Sequence, residues 1–217
     1  MDLSVIIPTL NAAAALPATL AAIGPGPEIV VADGGSTDGT ASAADGIRLV
    51  AAPRGRGSQL AAGIAAASHP WLLLLHADTR LSAGWRAAVA AHQARTPRAA
   101  GYFRFRLDST DPRARRLERL VAWRCRVLAL PYGDQGLLIH RDLLAAAGGM
   151  RPLPLMEDVD LVRRLGRHRL APLAADAVTS AVKWERDGWT RRSARNLACL
   201  SLWFAGVPPE VIKRLYG

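Results

Sequence analysis

Along the first third of the chain, short apolar runs alternate with amphipathic stretches. Residues 3–7 (LSVII) and 28–32 (EIVVA) are rich in β-branched side chains, and each ends at a polar or turn-forming residue. Runs of this kind predict parallel strands buried on both faces, and residues 47–51 and 71–75 repeat the pattern. Helical stretches fall between them: 17–23, with Pro17 suited to a first helical position, a short one after Asp38, and 58–67 behind Ser58 as a cap. The alternation predicts an α/β fold, a mostly parallel sheet covered by helices on both faces, with ligands bound at the carboxyl ends of the strands.

The second half is less regular. The pattern predicts a helix over 84–96, an alternating strand over 102–107 (YFRFRL), a basic helix over 113–130 and a short strand over 136–139. A helix closed by Gly148-Gly149, a helix over 159–168, an extended segment over 170–182 and a helix over 190–205 complete it. With no internal repeat or low-complexity linker, the 217 residues are expected to form a single domain.

Composition adds a charge bias. The formal net charge is +10, and all the basic residues but Lys183 and Lys213 are arginine, whose forked guanidinium suits phosphate and carboxylate. Anionic small molecules, anionic lipid surfaces and nucleic acid are the partner classes this admits. Cys125 and Cys199 lie far apart with no Cys or His at metal-ligand spacing, which argues against a disulfide framework or a zinc site and for a reducing cytoplasm. No basic leader or cleavage pattern opens the sequence, so no signal peptide is expected, and its longest apolar stretch is too short to span a bilayer.

The candidate chemistry sits where the predicted strands end. The first runs into Pro8-Thr9-Leu10-Asn11 and the second into Asp33-Gly34-Gly35-Ser36-Thr37-Asp38. A carboxylate followed by two glycines and hydroxyls offers an acceptor for a base N–H and backbone amides for phosphate; a turn acid with a helix cap is the simpler alternative. The third strand leads into Pro53-Arg54-Gly55-Arg56-Gly57-Ser58-Gln59, a basic glycine-rich loop opening a helix. It matches neither the GxxxxGK[ST] phosphate loop nor the GxGxxG dinucleotide fingerprint. The fourth strand ends in His76-Ala77-Asp78, whose alternation turns His76 and Asp78 to the same side.

In four ordered motifs, the loops after the first, second and fourth strands together with Met156-Glu157-Asp158-Val159-Asp160-Leu161, the sequence resembles the family 2 glycosyltransferases over most of its length. Within that family it looks most like a small bacterial branch associated with radical-SAM and selenium-type domains. Gly55-Arg56-Gly57-Ser58-Gln59, Tyr132-Gly133-Asp134-Gln135-Gly136 and the tail from Arg195 to Val207 carry the closer likeness.

The resemblance implies a GT-A-like three-layer α/β/α sandwich and inverting transfer of a sugar from a nucleoside diphosphate sugar to a hydroxyl acceptor. Residues 1–110 would form the nucleotide-sugar half and 111–217 the acceptor half. Pro8, Thr9, Asn11, Asp33, Gly35, Arg54 and Gln59 would bind the donor nucleotide, with Asp33 accepting from the base. Asp78, with His76, would hold Mg²⁺ or Mn²⁺ on the diphosphate. Asp158 would be the general base. Asp134, Gln135, Glu157 and Arg191 would line the acceptor and diphosphate region. The sequence departs from the family where His76 replaces the usual aspartate, leaving Asp78 to carry the metal.

Asp160 and Arg164 also admit a plain reading as an exposed i,i+4 ion pair. A nucleotidyltransferase would place glycine and arginine straight after the first strand, where Pro8-Thr9-Leu10-Asn11 has neither. A nucleic-acid-binding module would explain the charge and the aromatic strand at Tyr102, but the arginines are dispersed and the acids gather at strand ends, so no nucleic acid is expected. A third reading is a peripheral enzyme at the inner membrane face using a lipid-linked acceptor, docked through the 113–126 helix and the 197–207 segment with Trp203 and Phe204.

Overall fold

The computed structural model describes residues 2–96 and 98–216. Its strands are β1 (Leu3–Thr9), β2 (Glu28–Asp33), β3 (Arg48–Ala51), β4 (Trp71–Leu74), β5 (Thr79–Leu81), β6 (Ala100–Leu107), β7 (Leu137–His140) and β8 (Leu170–Thr179). They form one sheet in the order β3-β2-β1-β4-β7-β6-β8-β5. Neighbours are parallel from β3 through β4 and again between β6 and β8, while β7 opposes β4 and β6, and β5 opposes β8. The sheet is therefore mixed and mostly parallel.

Alternation along the central strands builds two cores. Val5, Ile7, Val31, Leu73 and Leu75 pack on one face with Leu16 and Ile23 of α1 (Leu16–Ile23) and Trp85 and Val89 of α4 (Trp85–Arg95). Ile6, Val30, Leu72 and Leu74 pack on the other with Leu60 of α3 (Arg56–Ala66), Leu144 of α6 (Arg141–Ala146) and Leu161 and Leu165 of α7 (Glu157–Leu165). Because both faces are covered, these strands carry apolar side chains on both sides instead of at every second position. The third expected strand differs: β3 is the sheet edge, with Arg48, Leu49 and Ala51 exposed.

Several boundaries also depart from the pattern. α3 begins at Arg56 behind Gly55 (φ 141°), so the cap is a glycine three positions before Ser58 and the helix starts two residues earlier than read. Val182, expected to end an extended segment, opens α8 (Val182–Asp187), which is followed by α9 (Trp189–Phe204) and α10 (Pro209–Tyr216). The remaining helices are α2 (Thr40–Ala43) and α5 (Pro112–Leu128).

This topology decides where the site lies. The carboxyl ends of β1, β2, β4, β6 and β8 share one edge of the sheet, and the opposed strands β5 and β7 begin there. Residues 76–78 before β5 and 133–135 before β7 therefore join the loops after β1, β2 and β3. The amino end of α3 closes tightly on residues 151–153, since a Cβ on Gly57 would lie 2.5 Å from the Arg151 carbonyl oxygen. Gly57→Ala is expected to destabilise the protein by about 1–3 kcal/mol through overpacking against backbone that cannot move aside, read as a lower urea midpoint with unchanged slope.

Candidate functional site

Two cavities open side by side at this edge. One, of about 1010 Å³, is walled by the loops after β1 and β3, including Pro8, Thr9, Asn11, Arg54 and Gln59. The other, of about 540 Å³, is walled by Tyr132, Gly133, Asp134, Glu157, Asp158 and the helices α8 to α10. They share Arg56, His76, Asp78, Ser180, Lys183 and Arg186, so the two spaces meet at the residues following β4.

The loops of the larger cavity are organised by Asp33. One carboxylate oxygen accepts from the Thr9 hydroxyl at 2.9 Å and the Ser36 hydroxyl at 2.5 Å, the other from the Gly35 and Ser36 amides at 3.0 and 2.8 Å. Burial pushes this carboxyl up, but the Ser36, Thr9 and Gly35 hydrogen bonds outweigh it and hold its pKa below the usual value. Four donors saturate a carboxylate, and neither Asp33 nor Gly35 lies on the cavity wall; Thr9 does. Asn11, with φ 52°, continues the clasp: its side-chain oxygen accepts from the Thr37 amide at 2.9 Å. Gln59, nearly buried, donates to the carbonyls of Thr9 and Ala32 and so ties β1 to β2.

Where the cavities meet, His76 Nδ1 is 3.2 Å from Asp134, and Lys183 Nζ is 3.1 Å from Asp78. Asp78 and His76 face the same space, as their alternation requires. Burial would raise the Asp134 pKa, yet the hydrogen bond and charge of His76, with Arg56 and Arg124, hold it at about 2. Among the described residues no three His, Cys, Asp or Glu side chains cluster as a ready metal site. Asp78 presents a carboxylate to the space that His76 also faces; such a set suits a hard cation only where substrate phosphate oxygens complete the shell.

The smaller cavity is dominated by the start of α7. Glu157 has a side chain only 2% exposed and lies 3.3 Å from Arg56. Burial raises its pKa, Arg56 opposes that, and neighbouring Asp158 adds to it. Asp158 accepts from the Val159 amide at 2.7 Å. Its other oxygen would lie 2.8 Å from a Cβ on Gly133, which would also touch the His76 ring, so glycine here leaves the space between acid and imidazole clear. Asp160 is not the exposed ion pair expected: its side chain is 8% exposed and paired with Arg151 at 3.0 Å and Arg164 at 2.8 Å, locking α7 to the preceding loop.

Two sequence candidates point elsewhere. Gln135 is buried, donating to the Phe103 carbonyl at 2.9 Å and accepting from Cys125 and Arg124, on the far side of its loop from the cavity. Arg191 is exposed and lines neither cavity; Arg192 and Arg195, which do, pair with Asp187 at 2.8 and 3.3 Å. The segment from Lys183 to Arg192 was legible as a candidate region, but which of its positions face inward was not, because a helix presents only certain positions inward and nothing predicted α8.

Residues 4–152 match the family model described as Glycosyl transferase family 2. Uncharacterised glycosyltransferases of Mycobacterium bovis and Mycobacterium tuberculosis are 43% identical over 84 residues, 37% of this chain and 38% of theirs. The match thus spans less than half the length of those relatives. Staphylococcus aureus TarS residues 1–349, solved with UDP-GlcNAc, superposes with TM-score 0.63 at 16% identity, covering 82% of this chain and 59% of that one. The Mycobacterium tuberculosis glucosyl-3-phosphoglycerate synthase, solved with Mn²⁺ and UDP-glucose, gives TM-score 0.57 at 22% identity over 82% of this chain and 69% of that one. These likenesses establish the GT-A fold.

The Asp33 clasp has a pH signature. Its folded pKa is depressed, so its contribution is present above the unfolded value near ~3.9 and is lost as pH falls through the folded value. Asp33→Asn, which turns an NH₂ toward backbone donors, is expected to cost about 1–3 kcal/mol at neutral pH and to flatten the acid limb of stability against pH in chemical denaturation.

Proposed function

The chain belongs to glycosyl transferase family 2, and from that premise we propose that it transfers a sugar, with inversion, from a nucleoside diphosphate sugar to a hydroxyl acceptor. The observation that carries the reading is the pair of cavities meeting at Arg56, His76, Asp78 and Lys183, with the acid of α7 facing the smaller one. The nucleoside would lie in the larger cavity against Pro8, Thr9, Asn11 and Arg54, and the acceptor in the smaller. This supports a donor half over residues 1–110 and an acceptor half over 111–217. Asp33 and Gln59 act there by shaping the loops, and a base N–H would reach Asp33 only by displacing the Thr9 or Ser36 hydroxyl.

Asp158 takes the proton from the acceptor hydroxyl as its oxygen attacks the anomeric carbon; the bond to the diphosphate breaks and its electron pair leaves with the nucleotide. Asp158 stands in the first turn of α7, where the unpaired amides of the helix start gather. Glu157, held by Arg56, fixes that turn. Lys183, Arg56 and Arg186 offset the charge growing on the leaving diphosphate. Asp78 with His76 would hold Mg²⁺ or Mn²⁺, which supplies Lewis-acid assistance to departure; the Mn²⁺ in the mycobacterial synthase supports this cofactor class. The stretches Gly55 to Gln59 and Tyr132 to Gly136 support membership of the small bacterial branch associated with radical-SAM and selenium-type domains. The unpaired thiols of Cys125 and Cys199 support a cytoplasmic setting.

A thermal-shift panel of UDP-, GDP- and dTDP-sugars with and without Mn²⁺ tests the proposal; a metal-enhanced rise for one nucleotide class is expected, and no rise for any would overturn it. Asp158→Asn is expected to lower turnover by roughly 10²- to 10⁴-fold with nucleotide affinity unchanged within a few-fold by calorimetry. Undiminished turnover would remove Asp158 as the base. Asp78→Ala is expected to abolish the metal-dependent part of nucleoside diphosphate binding.

A further inference from the structure

The helix α5 carries apolar side chains on two faces. Ala114, Glu118, Val121 and Cys125 form its buried face against the sheet. On the opposite side, at helical spacing, stand Leu120 (64% exposed), Trp123 (56%) and Val127 (43%), with Leu128 (47%) at the end. Exposed aliphatic and indole side chains along one stripe need a partner. Arg119 and Arg126 flank the stripe and Arg116 heads it; none of the three forms an ion pair with an acidic side chain among the described residues. The surface continues past the helix: Arg167 donates to the carbonyls of Arg126 and Val127, and Arg163 stacks on Phe204 of α9, itself 48% exposed.

We propose that this α5 face docks the protein peripherally on an anionic lipid bilayer, with Leu120, Trp123 and Val127 entering the headgroup boundary and Arg116, Arg119 and Arg126 meeting lipid phosphates. The charge selects this occupant. A second copy placed across the helix would set arginine against arginine, whereas an anionic surface offsets all three and the chain's net charge of +10. Leucine and valine beside the tryptophan match hydrocarbon better than the flat stacking faces of nucleic acid bases. Among the described residues no helix is long and apolar enough to cross a membrane, so the contact lies on the surface.

Docking would also bear on the site. α5 runs through Ala129 and Leu130 into the loop carrying Asp134, and Arg124 stacks on Tyr132 with its guanidinium 3.6 Å from the ring centroid. The cavity facing Asp158 is thereby joined to the docked helix, which suits an acceptor presented at the bilayer. That consequence rests on the proposed transfer reaction; the docking does not.

Co-sedimentation with phosphatidylcholine vesicles, with and without phosphatidylglycerol, tests the docking. Binding only to the anionic vesicles, weakened by salt, is expected. Trp123→Ala should lower partitioning roughly tenfold, and combined Arg116→Gln, Arg119→Gln and Arg126→Gln roughly hundredfold. Both variants should keep wild-type circular dichroism and the same nucleotide-sugar thermal shift, which separates failure of docking from failure of the enzymatic reading. Absence of wild-type binding to anionic vesicles, or binding that Trp123→Ala leaves unchanged, would overturn the proposal. So would sedimentation velocity showing a dimer that Trp123→Ala dissociates, or oligonucleotide binding that this variant loses.

Discussion

A carboxylate enclosed at the start of a helix must be balanced by charge, and Glu157 meets that requirement through Arg56. Arg56 opens α3, in the first half of the chain; Glu157 opens α7, in the second. Their pairing brings two helix amino ends to one cleft and seats Asp158 beside the residues that follow β4. The close approach at Gly57 and the Asp160 pairs with Arg151 and Arg164 hold the same junction from either side.

The site also shows how a basic cleft pairs its acids with cations. Asp134 lies between His76 and Arg56, Asp78 against Lys183, and Asp187 among Arg186, Arg192 and Arg195. Each acid fixes the position of a cation, and each cation remains at the cleft surface to meet an anionic ligand. Preorganised charge of this kind needs little rearrangement when charge develops on a substrate, which is the usual origin of electrostatic catalysis. The outer face of α5 works differently: among the described residues its Arg116, Arg119 and Arg126 are not matched by acids, and Leu120, Trp123 and Val127 stand exposed.

Much of the site was legible because strand ends are marked by composition. A buried parallel strand excludes polar groups until it leaves the sheet, so Asp33, His76 and Asp78 announce the edge where they lie. Roles were less legible than positions. Asp33 and Gln59 read as ligand contacts because their types suit one, yet their polar atoms are taken by Thr9, Ser36, Gly35 and neighbouring carbonyls. Gln135 reads as a pocket residue from its loop but turns toward Phe103 and Cys125.

The sequence by itself determined the order of strands and helices in the first half, the mostly parallel sheet and the acids at its edge, because burial on two faces imposes a local pattern that survives in one dimension. Only the tertiary structure decided which side chains are spent within the fold and which remain for chemistry. That choice depends on partners 50 or more residues apart, as with Gln59 and Thr9 or Lys183 and Asp78. It also decided that Arg192 and Arg195, and not Arg191, face the cleft, since inward direction on α9 is set by what the helix packs against.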